Sequence, residues 1–179
     1  MEFRAMGNLR IRRARPTDRE VLIRELGQRR FFDDRISRQK RGLGMLLTAW
    51  RGSRPIGVLY LWLEDAEEPE LRRHILGTPI LNHLEIHPDY RGGGTGTKLI
   101  KGAERRLRML GFDQVALAVE TTNRRAARLY ARLGYREWPH STVRCYSLTD
   151  GDSQGAVEIC WIMVKPLHGE GQVEPLQLQ

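Results

Sequence analysis

Two stretches of this 179-residue chain hold residue types whose spacing points to chemistry. The first is Ile86-His87-Pro88-Asp89-Tyr90-Arg91-Gly92-Gly93-Gly94-Thr95-Gly96-Thr97. It reads as the end of a strand, a proline break, a glycine-rich loop and the start of a helix. Glycine lets the backbone approach a ligand closely, and the first N–H groups of a helix have no intrahelical acceptor, so they bind anions. A diphosphate fits that geometry. The segment is not a dinucleotide fingerprint, because no Gly-x-Gly-x-x-Gly follows a strand with an acidic residue at the right distance. It is not a Walker loop either, since Gly-Lys-Ser/Thr is missing after Gly94 and Gly96. The second stretch is Asn123-Arg124-Arg125-Ala126-Ala127-Arg128-Leu129-Tyr130-Ala131-Arg132-Leu133-Gly134-Tyr135. Ala126, Leu129, Tyr130 and Leu133 recur at i, i+3, i+4 and i+7, which predicts a helix over 124–133 ended by Gly134.

The elements that must position these stretches follow from periodicity. Leu9–Arg12 alternates apolar and charged residues as a short strand does. Thr17-Asp18-Arg19-Glu20 has the spacing of a capping box, and Val21, Leu22, Glu25 and Leu26 continue an amphipathic helix. A second short helix is expected over Asp34–Gln39, with Phe31 and Phe32 in the connection before it. Gly44–Trp50 and Ile56–Leu63 read as strands joined by the turn-like Arg51–Pro55. A polar insertion at 65–79 has a helical turn near 69–76. Ile80–His87 is a strand stopped by Pro88. Leu99, Ile100, Ala103, Leu107 and Leu110 line one face of a helix over 96–110, closed by Gly111. Val115–Val119 is a short apolar strand, and two more strands, 142–148 and 156–164, flank a turn at 149–153. The order predicts a single α/β domain with a mixed central sheet flanked by helices, spanning 9–167, between a flexible start (1–8) and a flexible tail (168–179).

Composition narrows the class. The chain is 40% hydrophobic and 29% charged, a balance that suits a folded rather than a disordered chain. Thirty Lys+Arg against 22 Asp+Glu give a net charge of +8, which favours anionic partners. The arginines are scattered, and no helix-turn-helix or RNA-binding pattern is present, so no nucleic acid is expected. No apolar run reaches membrane-spanning length, and the first residues lack the apolar stretch of a secretory signal. Cys145 and Cys160 are too few for a disulfide framework or a four-ligand zinc site and read most simply as buried small apolar residues. A cytoplasmic protein without metal or membrane partner is expected.

Arg91-x-x-Gly94-x-Gly96 resembles the Arg/Gln-x-x-Gly-x-Gly/Ala motif of the GNAT superfamily of acyl-CoA-dependent N-acyltransferases. The Asn123–Tyr135 stretch resembles that family's second signature. The resemblance implies a GNAT-type fold and transfer of the acetyl group of acetyl-CoA to a primary amine by direct attack. It also implies the roles. Backbone groups of Leu84, Glu85 and Ile86 pair with the pantetheine arm. Arg91 and the backbone of Gly92, Gly93, Gly94, Thr95, Gly96 and Thr97 hold the pyrophosphate. Asn123 bonds the cofactor near its thiol, and Tyr130 protonates the leaving thiolate. The attacking amine must lose a proton, so a base or water relay is expected. The positions where relatives carry that base are Ile80, Asn82 and Ala118 here. Glu120 shares strand parity with Ala118 and is the first choice. Glu85, His83 and His87 are alternatives whose parity suggests the opposite face. Acceptor contacts are expected from Phe31, Phe32, Asp33 and Asn82, and from edges near Tyr146, Glu158 and Trp161. Asp33 and Asp34, beside two aromatics, are read either as an acidic pair favoured at a helix N-terminus or as receivers of a cationic amine. The acceptor is expected to be a small-molecule amine. A protein amine acetyltransferase and a non-catalytic acyl-CoA sensor are the alternatives, and a homodimer is possible.

Overall fold

The computed structural model describes residues 8–147 and 156–168. The segment 1–7, the turn expected at 149–153 and the tail beyond 168 lie outside the described residues, as does the side chain of Tyr146. The elements in chain order are β1 (Leu9–Arg13), α1 (Arg19–Leu26), α2 (Arg29–Lys40), β2 (Gly44–Arg51), β3 (Arg54–Trp62), α3 (Pro69–Ile75), β4 (Ile80–Ile86), α4 (Thr95–Met109), β5 (Gln114–Glu120), α5 (Arg124–Arg132), β6 (Arg136–Glu137), β7 (Val143–Ser147) and β8 (Ala156–Pro166). The expected strands and helices are present, and the two-residue β6 is an addition.

The strands form one sheet in the order β1-β2-β3-β4-β5-β8-β6, with β7 also paired to β8. Every pairing is antiparallel except β4–β5. That parallel pair is short: only Ile80↔Ala116 and Leu81↔Leu117 are in register. Beyond Leu81 the two strands diverge and leave a gap in the middle of the sheet.

Alternation sorts the sheet residues into two layers. Leu47, Ala49, Leu59, Leu61 and Leu117 face one side, where Leu99, Ile100, Ala103 and Leu107 of α4 cover them. Those four α4 residues are fully buried, and burying a Leu or Ile contributes about 1.5–3 kcal/mol each. Leu110, expected on the same face, sits at the helix end and is exposed. Leu46, Val58 and Tyr60 face the other side and pack against Leu22 of α1 and Phe31, Phe32 and Ile36 of α2.

Two expectations about the first helices change. The capping box at Thr17–Glu20 does not form. Instead the Asp18 carboxylate takes two bonds from the Arg12 guanidinium (2.6 and 2.9 Å) and one from the Arg15 N–H (2.7 Å). Helix α2 begins at Arg29 rather than Asp34, so Phe31 and Phe32 are helical rather than in a connection. Gln28, at φ 57°, follows Gly27 at φ 74° and redirects the chain between the helices.

Candidate active site

The gap between β4 and β5 is the feature around which the functional residues gather. A β-bulge in the β3–β4 pairing lies beside it. Val58 pairs with Glu85 and Tyr60 with Asn82, so two β4 residues, His83 and Leu84, oppose Leu59 alone. His83 takes up the extra residue with φ at 52°, which for a non-glycine residue is strained. The bulge inverts the alternation. Asn82 and Glu85, three apart, lie on the same face as their partners Tyr60 and Val58, the face of α1 and α2. This corrects the parity read for Glu85 and His83, which are turned toward α2 rather than away from it. His83 stacks on the Phe31 ring at 3.9 Å between centroids. Its Nε2 lies 3.1 Å from Glu85 Oε2, which also accepts from Gln28 Nε2 at 2.5 Å. The bond to His83 holds the Glu85 carboxyl below the usual range against the opposing effect of burial.

Two cavities meet at Leu84, which lines both. The outer groove, about 510 Å³, runs along Leu84, Glu85, Ile86, Arg91, Gly92, Gly94, Thr95, Gly96, Thr97 and Asn123. Ten of the expected cofactor-binding positions therefore share one groove, while Gly93 is not among its lining residues. Gly92 and Gly94 have φ of 79° and 75°, a backbone that L side chains rarely adopt. Gly94 caps α4 without a side chain, and a Cβ on Gly96 would sit 3.6 Å from Leu84 and 3.9 Å from Ile86, in the groove itself. The Arg91 Nε donates to the Ile86 carbonyl (3.0 Å), tying the loop to the end of β4. The Asn123 Oδ1 accepts from the Ala126 N–H (3.1 Å), which starts α5.

Arg125 and Arg132 of α5 and Tyr90 also line this groove and were missed in the sequence. The signal was present, because Arg125, Leu129 and Arg132 fall at i, i+4 and i+7 on one helix face. Three arginines beside exposed helix N–H groups suit a polyphosphate. The glycine cradle and the arginines beside it suit a phosphate-bearing cofactor such as acetyl-CoA.

The inner cavity, about 320 Å³, passes through the gap in the sheet. Tyr130 borders it from α5, Asn82 and His83 from β4, Ala118 and Glu120 from β5, and Phe31 and Arg35 from α2. Cys145 of β7 and Glu158 and Cys160 of β8 complete the far wall. Cross-strand pairing explains that wall: Glu120 is opposite Cys160, and Cys145 is opposite Glu158, so all four side chains share one face. The two cysteines are therefore cavity residues rather than anonymous core. Contact with Cys160, together with burial, pushes the Cys145 thiol up. Burial likewise raises the Tyr130 phenol, so it keeps its proton at neutral pH.

Three expected acceptor residues are elsewhere. Phe32 is fully buried beneath α2. Asp33 is exposed and pairs with Arg19 at 2.5 Å. Asp34 is held by Arg35 (2.6 Å) and Arg38 (3.1 Å). Beside Phe31, α2 presents a cationic side chain to the cavity: Arg35, which lies within the helix expected from the sequence but was not singled out there as a site residue.

Comparison with known proteins agrees with this geometry. The family model described as "Acetyltransferase (GNAT) family" matches residues 9–135. The chain belongs to the GNAT family. Among solved structures, this GNAT chain resembles the ribosomal-protein-S18-alanine N-acetyltransferase of Escherichia coli (19% identity, TM-score 0.66, covering 92% of this chain and 99% of that one). It also resembles the PaiA N-acetyltransferase of Thermoplasma acidophilum in complex with coenzyme A (19% identity, TM-score 0.60, 89% and 99% covered). At that identity the likeness concerns the fold. A curated relative is a mycothiol acetyltransferase of Actinosynnema mirum, 30% identical over 95 residues, which are 53% of this chain and 29% of that protein. The chain spans less than a third of the curated relatives it matches. Among the described residues no helix is long and apolar enough to cross a membrane.

Proposed function

We propose that this GNAT protein is an acetyl-CoA-dependent N-acetyltransferase acting on a small-molecule primary amine. The observation that carries the reading is the meeting of two cavities at the β4–β5 gap. One is lined by a glycine cradle and arginines; the other is small and lined by groups that can exchange protons. Bound acetyl-CoA supplies an activated acetyl group. The backbone of Gly92 to Thr97, with Arg91, Arg125 and Arg132, holds its phosphates, and the edge of β4 from Leu84 to Ile86 aligns its arm. Asn123, its Oδ1 engaged, offers Nδ2 as a donor.

Tyr130 is the general acid in this reading. A phenol kept protonated by its buried surroundings is suited to giving a proton to a leaving thiolate. Glu120 is the base, because it faces the inner cavity from β5. The specific geometry around β4 favours a second base. If His83 Nε2–H donates to Glu85, Nδ1 is left as an acceptor within the cavity wall, an imidazole oriented by a carboxylate. A cavity of about 320 Å³ is at the low end for ligand sites, which supports a small acceptor over a protein terminus.

The test is calorimetric titration with acetyl-CoA, followed by thiol release across a panel of amines. Binding with turnover on a small amine is the expected result. Binding without turnover on any amine would leave an acyl-CoA sensor, and no binding would overturn the reading.

A further inference from the structure

The cation at the acceptor cavity has an unusual environment. Arg35 is only 5% exposed, yet it borders the inner cavity. Its guanidinium is enclosed by three aromatic rings: Tyr60 at 4.8 Å, Trp62 at 5.2 Å and Phe31 at 5.3 Å from their centroids. Such faces stabilise the charge and fix the plane of the group. One edge is satisfied, since Nη1 donates to Asp34 Oδ2 at 2.6 Å. Asp34 is shared with Arg38, which also pairs with Glu64 at 2.5 Å. The Arg35 Nε is buried and has no hydrogen-bond partner among the described residues. A buried, unsatisfied N–H on a charged group costs free energy, so an oxygen acceptor that reached this edge, with a small shift of Arg35 or of a flanking ring to uncover it, would satisfy it. The far wall has the opposite character, with the carboxylates of Glu120 and Glu158 on β5 and β8.

Resting on the acetyltransferase reading above, we propose that the acceptor is an amine that also carries a carboxylate, of about amino-acid size, and that Arg35 is its specificity-determining residue. The carboxylate takes the Nε edge of Arg35, and the amine lies toward Glu120 and Glu158, near the β4–β5 gap. This reverses the polarity read from Asp33 and Asp34, which face their own arginines. A planar guanidinium with one free edge matches a carboxylate better than a lone ammonium does.

The experiment compares amines that differ only in the carboxylate: phenylalanine against phenethylamine, and 4-aminobutyrate against propylamine. The wild-type protein is expected to favour the carboxylated member of a pair by at least about tenfold in kcat/KM, since a site built around a hydrogen bond rejects the analogue lacking it. Phenylalaninamide, which lacks the charge, should be as poor as phenethylamine. Arg35→Met keeps the aliphatic stem. It should erase the preference by raising KM for the carboxylated amine while leaving kcat and acetyl-CoA affinity unchanged, and Arg35→Lys should restore part of it. A merely structural arginine would lower both rates together. The wild-type substrate comparison needs no variant, so it stands even if Arg35→Met fails to fold. Equal or better turnover of the decarboxylated amines would overturn the Arg35 assignment and leave the transferase reading intact. Calorimetric binding of phenylalanine or 4-aminobutyrate to the CoA-loaded protein, abolished in Arg35→Met but without turnover, would do the reverse. Neither binding nor turnover of any carboxylated amine would overturn the assignment.

Discussion

Tyr130→Phe separates chemistry from packing at this site. The substitution removes one oxygen and keeps the ring, which packs edge-on against Tyr135 (5.9 Å between centroids, 65° between planes) and contributes to the main core. Among the described residues none hydrogen-bonds to the Tyr130 hydroxyl, so the fold loses little when it goes, on the order of 0.5 kcal/mol or less. The outer groove, proposed above to hold acetyl-CoA, does not include Tyr130 among its lining residues. Acetyl-CoA affinity should therefore stay within about threefold of wild type. The loss should fall on kcat. A positioned general acid contributes roughly 10²–10⁴-fold, and a hundredfold loss corresponds to about 2.7 kcal/mol of barrier. The pH profile supplies the sign. Burial raises the Tyr130 pKa, so the proton-bearing form persists above the pH at which an ordinary tyrosine ionises. Any alkaline fall in kcat due to Tyr130 should come later than that, and it should be absent from Tyr130→Phe. Thiol release measured from pH 6 to the alkaline limit of stability, with acetyl-CoA binding measured in parallel, tests both points. A kcat within threefold of wild type, or equal loss of binding and turnover, would refute the acid role.

Glu120→Gln and His83→Gln discriminate the two bases: the variant that removes the base should lose the acid limb of the rate profile with acetyl-CoA binding intact, and the other should lose less than tenfold. Gly94→Glu forces a side chain onto a residue at φ 75° and puts negative charge at the phosphate cradle, so calorimetry should show at least a hundredfold loss of acetyl-CoA affinity. Glu104 is buried on α4 between Lys165 Nζ and the Tyr135 hydroxyl, each at 2.9 Å; Lys165→Met leaves that carboxylate without its counter-charge and should lower unfolding free energy by about 3–5 kcal/mol in denaturant titration, whereas a loss below 1 kcal/mol would show that Tyr135 alone suffices.

The readable part of the site was the part built from backbone. The glycine loop and the α5 signature depend on residue type at fixed spacing, and local sequence specifies both. They fall where they were expected, with Arg125 and Arg132 recoverable from the same helical period. The inner cavity depends instead on register. One extra residue at His83 turns Glu85 and His83 onto the face of α1 and α2, and no alternation rule foresees an extra residue in a strand. The start of α2 was missed for a comparable reason. Gln28 in a left-handed conformation is an unusual helix entry, and without it Phe31 and Arg35 were not seen to share a face at i, i+4. Tertiary pairing also redefined the cysteines, because the β7–β8 register aligns them with Glu120 and Glu158.

The bulge joins these two levels. A regular β4 would continue its parallel ladder with β5, closing the sheet where the two cavities now meet. In this sheet the ladder stops after Leu81, next to the bulge at His83 and Leu84. The extra residue turns His83 toward Phe31, and Phe31 lies one helical turn before Arg35. The opening that would admit a thioester and the surface that would select its acceptor thus adjoin the same bulge. A strained φ at His83 costs on the order of 1–3 kcal/mol, which the stacking on Phe31 and the hydrogen bond to Glu85 help to offset. Removing either contact should therefore loosen the acceptor wall before it affects the glycine cradle, which is anchored separately by Arg91 on the Ile86 carbonyl and by the buried face of α4.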